Sequence, residues 1–239
     1  TRHRSSQRTS PAASELGAPA RIGLFVATVL VVIALAVLPL LTPWYIHRAL
    51  DAAGSAELLG LTAEQAYAYS DRSVEELLLG PGTFEFVAPD GTPFYDPDER
   101  RHLGDARLLL GIFLLLGGIA LIGLGAAYAR WRDRRVAIWT VIRRAGLTTA
   151  AMVVVLGFIS VVAFDALFTL FHQLFFPGGN WSFDPTTQRL VQLYPFEFWQ
   201  LTATVLGVFI FLLGMATWLL GRWMSTRGRS DPTPSTASG

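Results

Sequence analysis

Cysteine and lysine are both missing from the 239 residues of this chain. Without cysteine there is no disulfide, no thiol nucleophile or thiol redox couple, and no Cys-ligated zinc or iron–sulfur site. Without lysine, Schiff-base chemistry and a P-loop lysine are excluded, and all nineteen basic side chains are arginines. Charge is scarce: 15% of the residues are charged and 52% are hydrophobic, whereas a soluble domain is about 25% charged. HExxH, GxSxG, GxxxxGKS/T and a strand-following GxGxxG are absent too, which removes the local signatures of zinc peptidases, serine hydrolases and nucleotide-binding folds. No cofactor and no metal ion is expected.

What is abundant is uninterrupted apolar sequence. Residues 22–46 contain no charge, and a bilayer core of ~30 Å needs about 20 such residues in a helix. Three further candidate spans are 106–129, 145–170 and 198–221; Arg143 and Arg144 clip the start of the third, and Asp165 sits near its end. Backbone groups in lipid must be satisfied within the segment, so all four read as helices. The first run exceeds a signal-peptide core and lacks a small-residue cleavage site, so it reads as a retained span.

The net charge of +1 conceals an asymmetry. Residues 1–21, 130–144 and 222–239 hold thirteen arginines against Glu15, Asp133 and Asp231, while 47–105 holds twelve acids against four arginines. Arginine-rich flanks mark the cytoplasmic side. Both termini are therefore expected in the cytoplasm, as a disordered leader (1–21) and a disordered tail (222–239). Residues 130–144 form a cytoplasmic Arg-rich loop, while 47–105 and 171–197 lie outside. The arginines are short-loop and juxtamembrane, so orientation accounts for them without nucleic acid.

The expected fold class is an all-α membrane protein, a four-transmembrane-helix bundle with a small mixed α/β extracytoplasmic cap over 47–105. Within the cap, Leu61–Gly80 has helical spacing, with Asp71 or Ser73 as a possible cap. After Gly80-Pro81-Gly82, the alternation of Phe84 and Phe86 before Asp90-Gly91 predicts a hairpin.

Of the four histidines, His3 lies in the basic leader and His47 follows the first span as an interfacial anchor. His102 precedes the second span and His172 follows the third, so both fall on the outer side at similar depth. Glu99 and Asp105 each stand three residues from His102 and could set its tautomer. Asp165 lies two turns before His172 on the same helical face. An acid so close to lipid is a functional candidate, or a structural hydrogen bond to a neighbouring helix. Eleven aromatic residues lie between Phe164 and Trp199. They include Phe168, Phe171, Phe175, Phe176 and Trp181 and cluster, with Asp184, around an irregular Pro/Gly loop suited to an apolar acyl-chain pocket. Two readings stand on these residues: an enzyme using His102 and His172, or a non-enzymatic membrane protein (assembly factor, sensor or lipid-binding partner) with an acidic external cap. Imidazoles more than ~10 Å apart with no shared cavity would count against the enzyme, because proton transfer needs hydrogen-bond reach or one water.

Glu99-x-x-His102-x-x-Asp105 before a span resembles the motif of the bacterial lipoprotein intramolecular transacylases. So does Asp165-x-x-Phe168-x-x-Phe171-His172-x-x-Phe175-Phe176, followed by Trp181, Asp184-Pro185 and Pro195. The resemblance implies a multi-pass protein of the bacterial plasma membrane, with membrane lipids and a diacylated lipoprotein as partners. It implies a transfer of the sn-2 acyl chain of a diacylglyceryl lipoprotein to the amine of its N-terminal cysteine. His102 and His172 would be the catalytic pair, supported by Glu99, Asp105 and Asp165. Phe168, Phe171, Phe175, Phe176, Trp181 and Asp184 would line the pocket.

Overall fold

The structure, a computed structural model, describes residues 16–227. His3 and most of the expected leader and tail lie outside the described residues; residues 18–21 and 222–227 are helical. The described chain runs α1 (Ala18–Val37), a 3₁₀ turn (Leu38–Leu41), α2 (Pro43–Ala53), α3 (Ser55–Leu59), α4 (Ala63–Leu78), α5 (Pro97–Arg130), a 3₁₀ turn (Arg132–Arg134), α6 (Arg135–Phe175), α7 (Arg189–Leu193) and α8 (Phe196–Arg227). Four segments are long and apolar enough to cross a membrane: Ala18–Leu41, Pro97–Arg130, Arg132–Phe175 and Phe196–Arg227. The protein is a multi-pass, all-helical membrane protein.

Proline sets the first boundary. Pro39 lies in the 3₁₀ turn, Thr42 is extended (φ −87°, ψ 143°), and Pro43 opens α2. A ring that lacks N–H and fixes φ suits a first helical turn and ends the helix before it. Residues 43–46, the end of the first apolar run, thereby become the start of a cap helix.

Glycine sets the helix spacing within the bundle. A Cβ on Gly146 of α6 would stand 2.7 Å from the Gly214 carbonyl oxygen of α8, and one on Gly221 would stand 2.9 Å from the Arg143 amide nitrogen. The backbones of α6 and α8 therefore touch, as small residues allow in a membrane where lipid removes the hydrophobic drive for association. Gly117 of α5 similarly faces Ala34 of α1, where an added Cβ would stand only 2.7 Å from the Ala34 Cβ. α6 loses helical geometry at Ala163 (φ −143°, ψ 36°).

The cap corrects the expected α/β character: among the described residues there is no strand, and the cap is helical. The Asp90-Gly91 turn does form, with Gly91 at φ 83° and Asp90 accepting from the Thr92 amide at 3.0 Å. Pairing stops at one isolated bridge between Val87 and Pro93. Pro89 and Pro93 have no N–H to extend a ladder, and Phe84 takes a left-handed φ of 52° that breaks the extended run. Phe84, Phe86, Phe94 and Tyr95 are all buried. They pack against helical residues Tyr45, Leu50, Leu103, Leu193 and Phe198 instead of alternating between two faces.

Hydroxyl pairs complete this core. Ser70 meets Tyr194 at 2.9 Å and Ser73 meets Tyr95 at 2.8 Å, and burial pushes the Tyr194 phenol up to about 12. α4 is capped by Thr62 in a capping box with Gln65. Asp71 is instead bonded to His47 at 2.9 Å, and His47 stacks on Tyr67 at 4.1 Å, so His47 holds α2 to α4.

Candidate active site

The end of α5 nearest the cap is fixed by its own sequence. Asp96 caps the helix and accepts from the amides of Asp98 and Glu99, Pro97 occupies the first turn, and Glu99 reaches back to the Asp96 amide at 2.6 Å. This capping box places His102 in the second turn. Burial opposes ionisation of Asp96, but its hydrogen bonds from the Glu99 amide, Gln188 and the Asp98 amide prevail and hold the carboxyl below its usual value. His172 lies in the last turn of α6, which Phe176 closes by donating its backbone N–H to the His172 carbonyl oxygen at 2.7 Å.

The two imidazoles meet across the gap between α5 and α6. Their ring centroids are 5.9 Å apart and the planes 23° from parallel. Phe176 packs on both, 4.5 Å from His102 and 5.5 Å from His172. Phe183 stands edge-on to His102 at 5.5 Å, Phe168 lies 4.1 Å from His172, Trp181 at 5.1 Å and Phe171 at 5.3 Å. The rings form an aromatic enclosure with two nitrogen-bearing side chains inside it. His172 Nδ1 is 2.8 Å from the Phe168 carbonyl oxygen. A carbonyl only accepts, so Nδ1 carries the hydrogen and the neutral ring presents its lone pair at Nε2. His102 Nδ1 is shut off from solvent and has no hydrogen-bond partner.

The remaining sequence candidates distribute differently. Glu99, 2% exposed, turns away from His102 and accepts from the Leu190 amide at 2.6 Å, which ties α5 to α7. Asp105 accepts from Asn180 Nδ2 at 2.8 Å, joining α5 to the loop after α6. Asp165 is exposed on α6, two residues beyond the Ala163 kink, and makes no hydrogen bond or ion pair. Asp184 caps its own turn; the Thr186 hydroxyl and amide hold its carboxyl below the usual range. Phe175 packs tilted against Phe171, with ring centroids 4.9 Å apart, at the rim.

Sequence reasoning missed Asn180, Phe183 as a ring on His102, and the pair Asp96–Gln188, bonded at 2.7 Å. Asp96-Pro97-x-Glu99 was the available signal for the capping box. Nothing local marked Asn180 or Gln188. Among the described residues no three His, Asp or Glu side chains cluster as metal ligands. An apolar groove of about 460 Å³ runs along Gly104, Arg107, Leu108, Gly111, Ile112 and Leu115. Gly104 is two residues past His102, some 200° round the helix at about 100° per residue, so the groove lies on the opposite face of α5.

Comparison with known proteins decides the family. Residues 22–199 match the family described as lipoprotein intramolecular transacylase Lit. The chain belongs to that family. Its members are acyltransferases, so membership selects the enzyme over the non-enzymatic membrane protein. The fold agrees. The membrane-integral lipoprotein intramolecular transacylase Lit from Bacillus cereus superposes with a TM-score of 0.71 at 19% identity, covering 88% of this chain and 96% of that one. A form of that protein with a histidine-to-alanine substitution gives a TM-score of 0.68 at 18% identity, covering 88% and 94%. An uncharacterized protein of Aquifex aeolicus is 22% identical over 165 residues, 68% of this chain and 74% of that one.

Proposed function

We propose that this member of the transacylase family moves the sn-2 acyl chain of a diacylglyceryl lipoprotein to the α-amine of its N-terminal lipidated cysteine, with His102 and His172 as the catalytic pair. The observation that carries the assignment is the 5.9 Å approach of two imidazoles inside one aromatic enclosure, well under the ~10 Å beyond which cooperation fails. The cap faces the outside, the arginine-rich ends and both termini face the cytoplasm of a bacterial cell, and the histidines stand at the level of outer-leaflet esters.

An α-amine has a pKa of ~8 and is a nucleophile only when neutral. Its nitrogen attacks the sn-2 carbonyl carbon, and the new N–C bond forms as the bond from that carbon to the glycerol oxygen breaks. The proton lost by nitrogen ends on the glycerol oxygen. His172 suits the base: with Nδ1–H committed to Phe168, Nε2 is its free lone pair. His102 suits the donor to the tetrahedral oxyanion and the leaving oxygen. Amine and ester belong to one substrate molecule, so no acyl-enzyme is needed. The enclosure of Phe168, Phe171, Phe176, Trp181 and Phe183 excludes water and confines the reacting groups, an effect worth up to ~7–11 kcal/mol where near-attack geometry is achieved. Phe175 and Asp184 shape the rim and the loop, and Asp105 fixes the loop against α5.

The test is conversion of a synthetic diacylated lipopeptide in proteoliposomes, followed by mass spectrometry. The unmutated protein yields the lyso-form, N-acylated product, and His102→Ala and His172→Ala each lose about 10²-fold or more, the usual contribution of a positioned acid or base. Undiminished conversion by both variants would refute the catalytic pair.

A further inference from the structure

Asn180 carries an unfilled hydrogen-bonding atom at this site. Its side-chain amide is fixed from one end: Nδ2 donates to Asp105 Oδ2 at 2.8 Å. An ionised carboxylate only accepts, so the amide cannot be turned round without setting oxygen against oxygen. The carbonyl oxygen Oδ1 therefore points away from Asp105, and it is shut off from solvent with no partner in the protein. A buried acceptor without a donor is costly, and such groups mark places where a ligand completes the structure.

The residues on either side of this amide stand next to both histidines. Asp105 lies one turn after His102 on α5. The residue after Asn180 is Trp181, whose ring packs on His172 at 5.1 Å. Gly179, at φ 74°, supplies the left-handed turn that presents Asn180 to α5. His102 Nδ1 is a second buried polar atom without a partner in the same neighbourhood. A ligand that satisfies this oxygen must bring it a hydrogen-bond donor, and an amine N–H is the donor that a lipoprotein N-terminus supplies.

We infer that Asn180 is a substrate-binding residue whose side-chain carbonyl accepts an N–H of the substrate's N-terminal amine, with Asp105 as the positioning residue that orients the amide. The inference rests on the proposed transacylase reading and supplies its missing contact to the nucleophile. An acceptor at one N–H directs another toward imidazole and turns the nitrogen lone pair to the ester carbonyl. It also makes the site selective for a free amine over an N-terminus that lacks one.

The experiment uses two non-reacting ligands in nanodiscs, each a diacylglyceryl lipopeptide with an sn-2 ether in place of the ester. One retains the α-amine and the other has hydrogen in its place. The unmutated protein is expected to bind the amine form more tightly. Asn180→Ala is expected to lower that preference about tenfold, the scale of one hydrogen bond to a buried acceptor, with affinity for the deamino ligand unchanged. Asp105→Ala, which releases the amide without touching ligand, is expected to lower the preference as well and serves where Asn180→Ala does not fold. An unmutated protein without amine preference, an Asn180→Ala variant that keeps it in full, or an equal loss of both ligands overturns the inference. Selective binding of the amine ether by a protein that never converts the ester would refute the transacylase reading and leave the role of Asn180 standing.

Discussion

Glu99 separates a structural from a chemical role for the acids around His102. Its spacing suggested a carboxylate that serves the imidazole, yet its two oxygens accept from the amides of Asp96 and Leu190, each at 2.6 Å, with 2% of the residue exposed. In Glu99→Gln one oxygen remains to accept from one amide, and the new NH₂ faces the other, donor against donor. One charge-assisted bond is lost and one buried N–H is left unpaired, a cost of about 2–3 kcal/mol. For a chain of this size about 2–4 °C of melting temperature accompanies each kcal/mol, so the variant should melt about 5–10 °C below the unmutated protein. Tryptophan fluorescence during heating in detergent reads this. Glu85→Gln is the control: Glu85 pairs with Arg100 at 2.8 Å but is 69% exposed, and such pairs are worth under about 1 kcal/mol. At a temperature where both variants are folded, Glu99→Gln should convert lipopeptide at close to the normal rate. An unchanged melting temperature would refute the structural role, and a lost rate with full stability would show that Glu99 serves the histidine after all.

Two other outcomes probe the scaffold. Gly146→Leu sets a side chain where a Cβ alone would stand 2.7 Å from the Gly214 carbonyl; forced separation of α6 and α8 should cost at least about 1–3 kcal/mol, whereas Gly118→Ala, with nothing within 4 Å, should leave the melting temperature level or slightly raised. Asp96→Ala removes a helix cap and should cost about 1 kcal/mol. Because the folded pKa of Asp96 is depressed, its contribution is present above the unfolded carboxylate value of ~3.9 and is lost as pH falls through the folded value. The stability gap between the variant and the unmutated protein should therefore be full at pH 6 and shrink below about pH 4, as thermal melts across that range will read.

The legible parts of the candidate site were those written locally. His102 and His172 stand at the ends of apolar runs, so their common level follows from counting residues at a fixed rise per residue. The rings at Phe168 and Phe176 stand four residues either side of His172, at helical spacing, and Phe171 adjoins it. Glu99 shows the limit: at three residues from His102 it satisfied a helix-neighbour rule, but a backbone amide 91 residues away claimed it. The hairpin failed for a related reason. Its alternation and turn were present, but Pro93 withheld a donor and the helices offered Phe84 and Phe94 a more complete burial than a two-stranded ribbon could.

Composition and hydropathy by themselves determined the number of long apolar helices, the solvent they require and the absence of cysteine and lysine, which leaves histidine as the side chain suited to acid–base work near neutral pH. Those are sums over neighbouring residues, and lipid enforces them by leaving the backbone no partner but itself. Only the tertiary structure decided that two imidazoles meet at 5.9 Å, that Asp105 turns to Asn180 across 75 residues, and that the cap is helical. Hydrogen bonds are short and directional, so a carboxylate goes to whichever donor the folded chain brings within 3 Å.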